Sequence, residues 1–84
     1  MAGEKSFSDA STVPRAKMRS LIEVTFQRLR ADIVEGRLAA GSRLGVEDLK
    51  SRYEVSGGTM REALSLLVAE NLVQTQAQRG FHVT

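Results

Sequence analysis

The sequence predicts a mainly α fold with a small β-hairpin, in which three helices are followed by a two-stranded wing. Three observations carry this reading. Apolar residues recur at three- and four-residue steps in two stretches, Ile22 to Ile33 and Met60 to Val68, and the helical period places each set on one face. A shorter stretch between them, Val46 to Tyr53, keeps the same spacing. After Asn71 the pattern shifts to Leu72-Val73-Gln74-Thr75-Gln76 and Phe81-His82-Val83-Thr84, β-formers on either side of a glycine-containing turn.

Residues 1–13 mix Gly, Ala, Ser and Asp with charge around one aromatic, Phe7. They offer too little apolar surface to offset the entropy of ordering and read as a flexible tail. A basic arm built on Lys5, Arg15, Lys17 and Arg19 is the weaker alternative, because acids interrupt the run. The folded domain is then expected over 14–84. Its first helix starts near Pro14 or Arg19, buries Ile22, Phe26, Leu29 and Ile33, and stops at Gly36, where glycine accepts the left-handed conformation of a helix end.

A turn through Leu38 to Gly41 and a short extended piece at Arg43-Leu44-Gly45 lead to the second helix, Val46 to Tyr53, with Val46, Leu49 and Tyr53 inward. Val55 plugs the following turn. The third helix carries the strongest periodic signal, Met60, Ala63, Leu64, Leu67 and Val68. Two starts fit it: Ser56 as direct cap, or Thr59 with Glu62 as a capping box. Ser56 is preferred, which leaves Gly57 and Gly58 in the first turn, where their poor helix propensity matters least. The hairpin turn Ala77-Gln78-Arg79-Gly80 lacks the Asn-Gly or Asp-Gly signature, so the wing rests on Gly80 and its flanking β-formers.

Composition narrows the function. With 84 residues, a single small domain with a modest core is expected, without a roomy ligand pocket. Cysteine is absent, so no disulfide or thiolate metal site is available, which suits a cytoplasmic location. No apolar run is long enough to span a bilayer. Twelve Lys and Arg against ten Asp and Glu give a formal net charge of +2, which permits an anionic partner without requiring one. No paired nucleophile and base, phosphate-cradling loop or acidic cluster stands out, so neither an enzyme nor a cofactor is expected. His82, the only histidine, has no second ligand of its type and reads as structural.

Two helices joined by a short turn, the second polar at its start and apolar on its inner face, suit major-groove reading in a winged helix-turn-helix. The candidate interface begins at Ser56-Gly57-Gly58-Thr59-Met60-Arg61. Unpaired N–H groups near Gly57, Gly58 and Thr59 would face phosphate at the positive end of the helix. Thr59 adds a hydroxyl, and Arg61 a guanidinium suited to phosphate or guanine; a surface arginine paired within its own helix is the plain alternative for Arg61. Gln78, Arg79 and Gly80 at the wing tip reach a minor groove or phosphate. Arg43 and Lys50 flank the second helix and would hold neighbouring backbone, solvation being their default reading.

Taken together, Ile33-Val34-Glu35-Gly36, Gly41-Ser42-Arg43-Leu44, Leu49, Val55-Ser56, Arg61-Glu62-Ala63-Leu64, Leu67, Glu70, Leu72-Val73 and Arg79-Gly80-Phe81-His82-Val83 resemble the GntR family of bacterial repressors. The resemblance covers Ile22 to Val83 and looks like the FadR-type branch; from Ser51 to Gly80 it is similar to that branch's carbon-starvation and glutarate regulators. It implies a DNA-binding domain that reads a double-stranded operator as half of a homodimer. It further implies an all-helical C-terminal domain, absent from these 84 residues, that dimerises and binds a small acidic effector, often with a metal. Where the family commonly has an arginine and then a Thr-Pro pair after the capping serine, this chain has Gly57, Gly58 and Thr59, so the arginine contact does not carry over. Arg61, Thr59 and Arg79-Gly80 match the pattern and inherit its contacts. The competing reading is a winged-helix protein-protein interaction module, for which Gly57 and an off-stripe Leu66 are the support; a small structural or enzyme-associated domain ranks last.

Overall fold

The computed structural model describes residues 15–77 and 80–84. The expected flexible tail, 1–13, lies outside them. Helix α1 runs Arg15–Val34, strand β1 Arg43–Leu44, helix α2 Val46–Tyr53, helix α3 Gly57–Ala69, strand β2 Val73–Gln76 and strand β3 Gly80–Val83. The expected hairpin forms, with Val73 opposite Val83 and Gln76 opposite Gly80; Gly80, expected in the turn, opens the second strand. The short extended piece is a third strand: Arg43 pairs with His82 and Leu44 with Phe81, giving an antiparallel sheet in the order β1-β3-β2. A two-stranded hairpin alone is marginal; β1 closes one edge of it and inserts Leu44 beneath the helices.

Every element contributes to one core. Phe26 and Leu29 come from α1, Leu38 from the following loop, Leu44 from β1, Leu49 and Tyr53 from α2, Met60, Ala63, Leu64 and Leu67 from α3, and Val73 and Val83 from the sheet. Burying each large apolar side chain is worth roughly 1.5–3 kcal/mol against the cost of ordering the chain. Ile22 and Ile33, expected in the stripe of α1, are half-buried, and the centre of that face includes Thr25 instead. Its hydroxyl donates to the Leu21 carbonyl at 2.7 Å, which satisfies a polar atom that burial would otherwise penalise. The start of α1 projects past the core: Arg15 to Leu21 are exposed, including the apolar Met18 and Leu21.

The chain turns where its backbone permits. Gly36 has φ +83°, and the Leu38 N–H returns to the Asp32 carbonyl at 3.0 Å, so α1 ends with its last carbonyls paired. Helix α2 has Glu47 and Asp48 in its first turn and Lys50 and Arg52 in its last, which complements the helix dipole at both ends. It closes on Glu54 in the left-handed conformation. The Val55 N–H then bonds the Lys50 carbonyl at 3.0 Å, and Val55 packs half-buried against the core. This turn sets the direction of α3.

Candidate nucleic-acid interface

Successive residues of a helix are about 100° apart, so the burial of α3 divides it cleanly. Thr59, Met60, Ala63, Leu64 and Leu67 face inward. Gly58, Arg61, Ser65 and Ala69 lie on the opposite face and are exposed, with Gly57 half-buried at its edge. Arg61 and Glu62 are the only charged residues of α3; both are exposed on its outward side, and Arg61 is the cation. Ser65, one turn beyond Arg61, lies on the same side. Sequence reasoning did not single out Ser65, although its four-residue spacing from Arg61 marks it.

Ser56 is the cap. Its Oγ accepts the Thr59 N–H at 3.1 Å and donates to the Thr59 Oγ1 at 3.1 Å, while its carbonyl accepts the Met60 N–H at 3.0 Å. This corrects the expectation of an open Thr59 N–H, which is taken by the cap. The Thr59 Oγ1 accepts from the same serine and the residue is 9% exposed, while its own hydroxyl proton meets no acceptor among the described residues and is still able to donate. The N–H groups of Gly57 and Gly58 meet no partner among the described residues, as expected for the first turn of a helix.

The two glycines leave room for cations. A β-carbon built on Gly57 would lie 3.4 Å from Nη1 of Arg61 and 3.8 Å from Cδ of Lys50. The guanidinium and the lysine stem therefore flank one spot at the start of α3, beside the unpaired N–H groups. The first turn of α3 contains no acid, and no carboxylate among the described residues lies within ion-pair distance of Arg61. The alternative of an internally paired Arg61 is thus not what the structure shows. Lys50 is less available, since its Nζ is 3.1 Å from Glu47.

The remaining expected residues belong to the sheet. Arg43 is exposed on the edge strand β1, in register with His82 and without a carboxylate partner among the described residues. Gly80 opens β3 at φ +75°. Gln78 and Arg79 lie outside the described residues. His82 is half-buried and its Nε2 lies 3.0 Å from Oε1 of its cross-strand partner Gln74, a structural position. Leu66 is exposed, off the buried stripe of α3.

One polar cluster escaped the sequence reading. The hydroxyl of Tyr53, at the end of α2, donates to Asp32 of α1. Asp32 also binds Nε of Arg37 at 2.7 Å. Arg28 of α1 lies over the Tyr53 ring, 4.8 Å from its centroid, and its Nη1 reaches the Tyr53 carbonyl at 3.4 Å. The Tyr53 hydrogen bond holds the Asp32 carboxyl below its ordinary range, with Arg37 assisting. Burial, then the Asp32 bond, pushes the Tyr53 hydroxyl up to about 12. The one signal in the sequence was a tyrosine at an inward position, because a buried phenol needs a partner. The cluster ties α1 to the turn that aims α3.

Comparison with known proteins agrees with this fold. The family model described as bacterial regulatory proteins, gntR family, matches residues 21–83. An uncharacterized HTH-type transcriptional regulator, BphR, of Paraburkholderia xenovorans LB400 is 86% identical over all of this chain, which covers 34% of that protein. The HTH-type transcriptional repressor GlaR of Escherichia coli K12 is 41% identical over 69% of this chain and 26% of its own length. Among solved structures, the GntR regulator from Rhodococcus sp. RHA1 superposes with a TM-score of 0.73 at 33% identity, over 76% of this chain and 31% of that one. The GntR family member from Pseudomonas syringae pv. tomato gives 0.69 at 31% identity over 84% and 30%. This chain thus spans about a third or less of the length of these relatives.

Proposed function

Since this chain belongs to the GntR family of bacterial regulatory proteins, we propose that its winged helix-turn-helix binds double-stranded DNA sequence-specifically, as the operator-reading domain of a transcription regulator. The observation that carries this reading is the start of α3. There the unpaired N–H groups of Gly57 and Gly58, the guanidinium of Arg61 and the stem of Lys50 share one open surface. Helix N–H groups and dipole favour phosphate, and an outward arginine reads guanine or holds backbone. Arg43, Gly80 and the wing residues Gln78 and Arg79 extend the interface; Ser56 acts through the cap. Thr59 joins the interface through its hydroxyl and not through its N–H.

The reading extends to the whole regulator as follows. The domain, 14–84, belongs to the FadR-type branch and works in the cytoplasm without enzymatic activity. It acts as a repressor, as the name of GlaR states for that relative. A helical domain following it in the full-length regulator forms the homodimer and binds a small acidic metabolite. A dimer brings two copies of α3 to half-sites one DNA turn apart, which compensates for weak binding by a single domain.

The test is selection of bound sequences from a pool of random duplex DNA by the 84-residue chain, at two salt concentrations. Enrichment of a half-site or a short palindrome is the expected outcome, with affinity falling as salt rises. Weak, salt-sensitive binding without enrichment would overturn sequence-specific reading.

A further inference from the structure

We propose that the absence of a side chain at Gly57 is a specificity determinant: it gives Arg61 the space from which it reads bases at the start of α3. The inference rests on the DNA-binding reading above and adds which residue does the reading and what permits it. The outward side of α3 carries Gly58, Arg61, Glu62, Ser65 and Ala69, with Gly57 at its edge. Arg61 is the only cation among them, and the carboxylate of Glu62 is repelled by phosphate. Glycine offers no side chain, alanine no polar atom, and the short hydroxyl of Ser65 lies a turn further along the helix.

Arg61 does not extend away from the helix. Its Nη1 lies 3.4 Å from where a Gly57 β-carbon would stand, and Lys50 Cδ closes the other side of that position at 3.8 Å. A β-carbon alone fits there in ordinary contact. A longer side chain must compete with the guanidinium for the same surface and push it elsewhere. Gly58 has more room, since its β-carbon would meet nothing nearer than the Ser56 Oγ at 4.0 Å. Position 57 therefore governs where Arg61 points. A guanidinium presents a planar donor fork, so its direction decides which base edge it reaches.

Selection from random duplex DNA by four versions of the 84-residue chain tests this: unmodified, Arg61→Ala, Gly57→Ala and Gly57→Gln. The unmodified chain should enrich one motif. Arg61→Ala should lose preference at one position of the half-site, with affinity for the selected duplex lowered about tenfold to a hundredfold. Gly57→Ala should keep the motif, and Gly57→Gln should change the preferred base at the position that Arg61→Ala loses. The proposal is overturned if Gly57→Gln selects the unmodified motif with equal strength throughout, or if Arg61→Ala leaves every position intact. A motif from the unmodified chain with either of those results sinks this inference and spares the DNA-binding reading; no motif from any version sinks both. Proton NMR of the DNA-free chain gives a readout independent of DNA. Cross-peaks between the Arg61 side chain and the Gly57 α-protons are expected, and their absence would overturn the arrangement.

Discussion

On the inner side of α3, Met60, Ala63, Leu64 and Leu67 are wholly buried, while on its outer side Gly58, Arg61, Ser65 and Ala69 are exposed. The two faces share the same thirteen residues and differ in what holds them. The inner face is fixed by packing against α1, α2 and the sheet, where a missing methylene is felt at once. The outer face touches almost nothing in the protein itself. It follows that the inner face should determine stability and the outer face the choice of DNA, with little exchange between them. The substitution with the largest expected effect attacks the first half of that statement. Leu64→Ala should cost about 2–5 kcal/mol, a transfer loss plus a cavity, which is a large share of the stability of so small a domain. Urea unfolding measures it, and a cost below about 1 kcal/mol would mean that the core repacks freely and the faces are not separate. Arg61→Ala, by contrast, should change the unfolding free energy by no more than about 0.5 kcal/mol.

The Tyr53 cluster stands between the two faces, since it belongs to the packed interior and yet holds the turn that orients α3. Replacing Tyr53 by Phe keeps the ring and removes the donor to Asp32. The cost at neutral pH should be about 1.5–3 kcal/mol, as for a hydrogen bond to a charged group, and toward the lower end because Asp32 keeps Arg37. The pH dependence has two limbs of known sign. Asp32 is held below its ordinary value of 3.8, so its contribution is full above that value and is lost as the pH falls through the lowered one. Tyr53 is raised from 10.0 to about 12, so its contribution is full below pH 10 and is lost as the pH climbs toward about 12. Unfolding midpoints across this range should show both limbs in the unmodified chain. Tyr53→Phe should lack the alkaline limb and have a shallower acid one; an unchanged alkaline limb would assign it to another group.

Much of this division was legible in the sequence, and the reason is periodicity. Leu29, Leu49, Met60, Ala63, Leu64 and Leu67 fall on helical spacings that any packed fold must bury, and Ser56 before a helical run is a cap on chemistry alone. What was not legible depends on contacts between segments distant in the chain. The strand at Arg43-Leu44 is too short to declare itself until His82 and Phe81 pair with it. Asp32 and Tyr53 are 21 residues apart and share no local pattern. The Thr59 N–H looked open to phosphate, and only the position of Ser56 shows that the cap takes it. The approach of Arg61 to Gly57 was foreseeable in kind, since residues four apart in a helix are neighbours, but its distance was not.

A smaller gain, of opposite sign to the losses at Leu64 and Tyr53, is expected in the turn joining the two sides, at Glu54. Its backbone sits at φ 57° and ψ 48°, a left-handed conformation that costs a residue with a β-carbon roughly 1–2 kcal/mol. Glycine adopts it without that cost and gives back part of the gain through a more flexible unfolded chain. Glu54→Gly should therefore stabilise the fold by about 0.5–1 kcal/mol, raising the thermal midpoint by a few degrees. The left-handed backbone is needed so that the Val55 N–H can return to the Lys50 carbonyl, and glycine preserves that bond. If the midpoint falls instead, the strain at Glu54 is already offset by contacts of its own side chain. The turn would then be held by its residues as the inner face is, rather than by the dihedral angles alone.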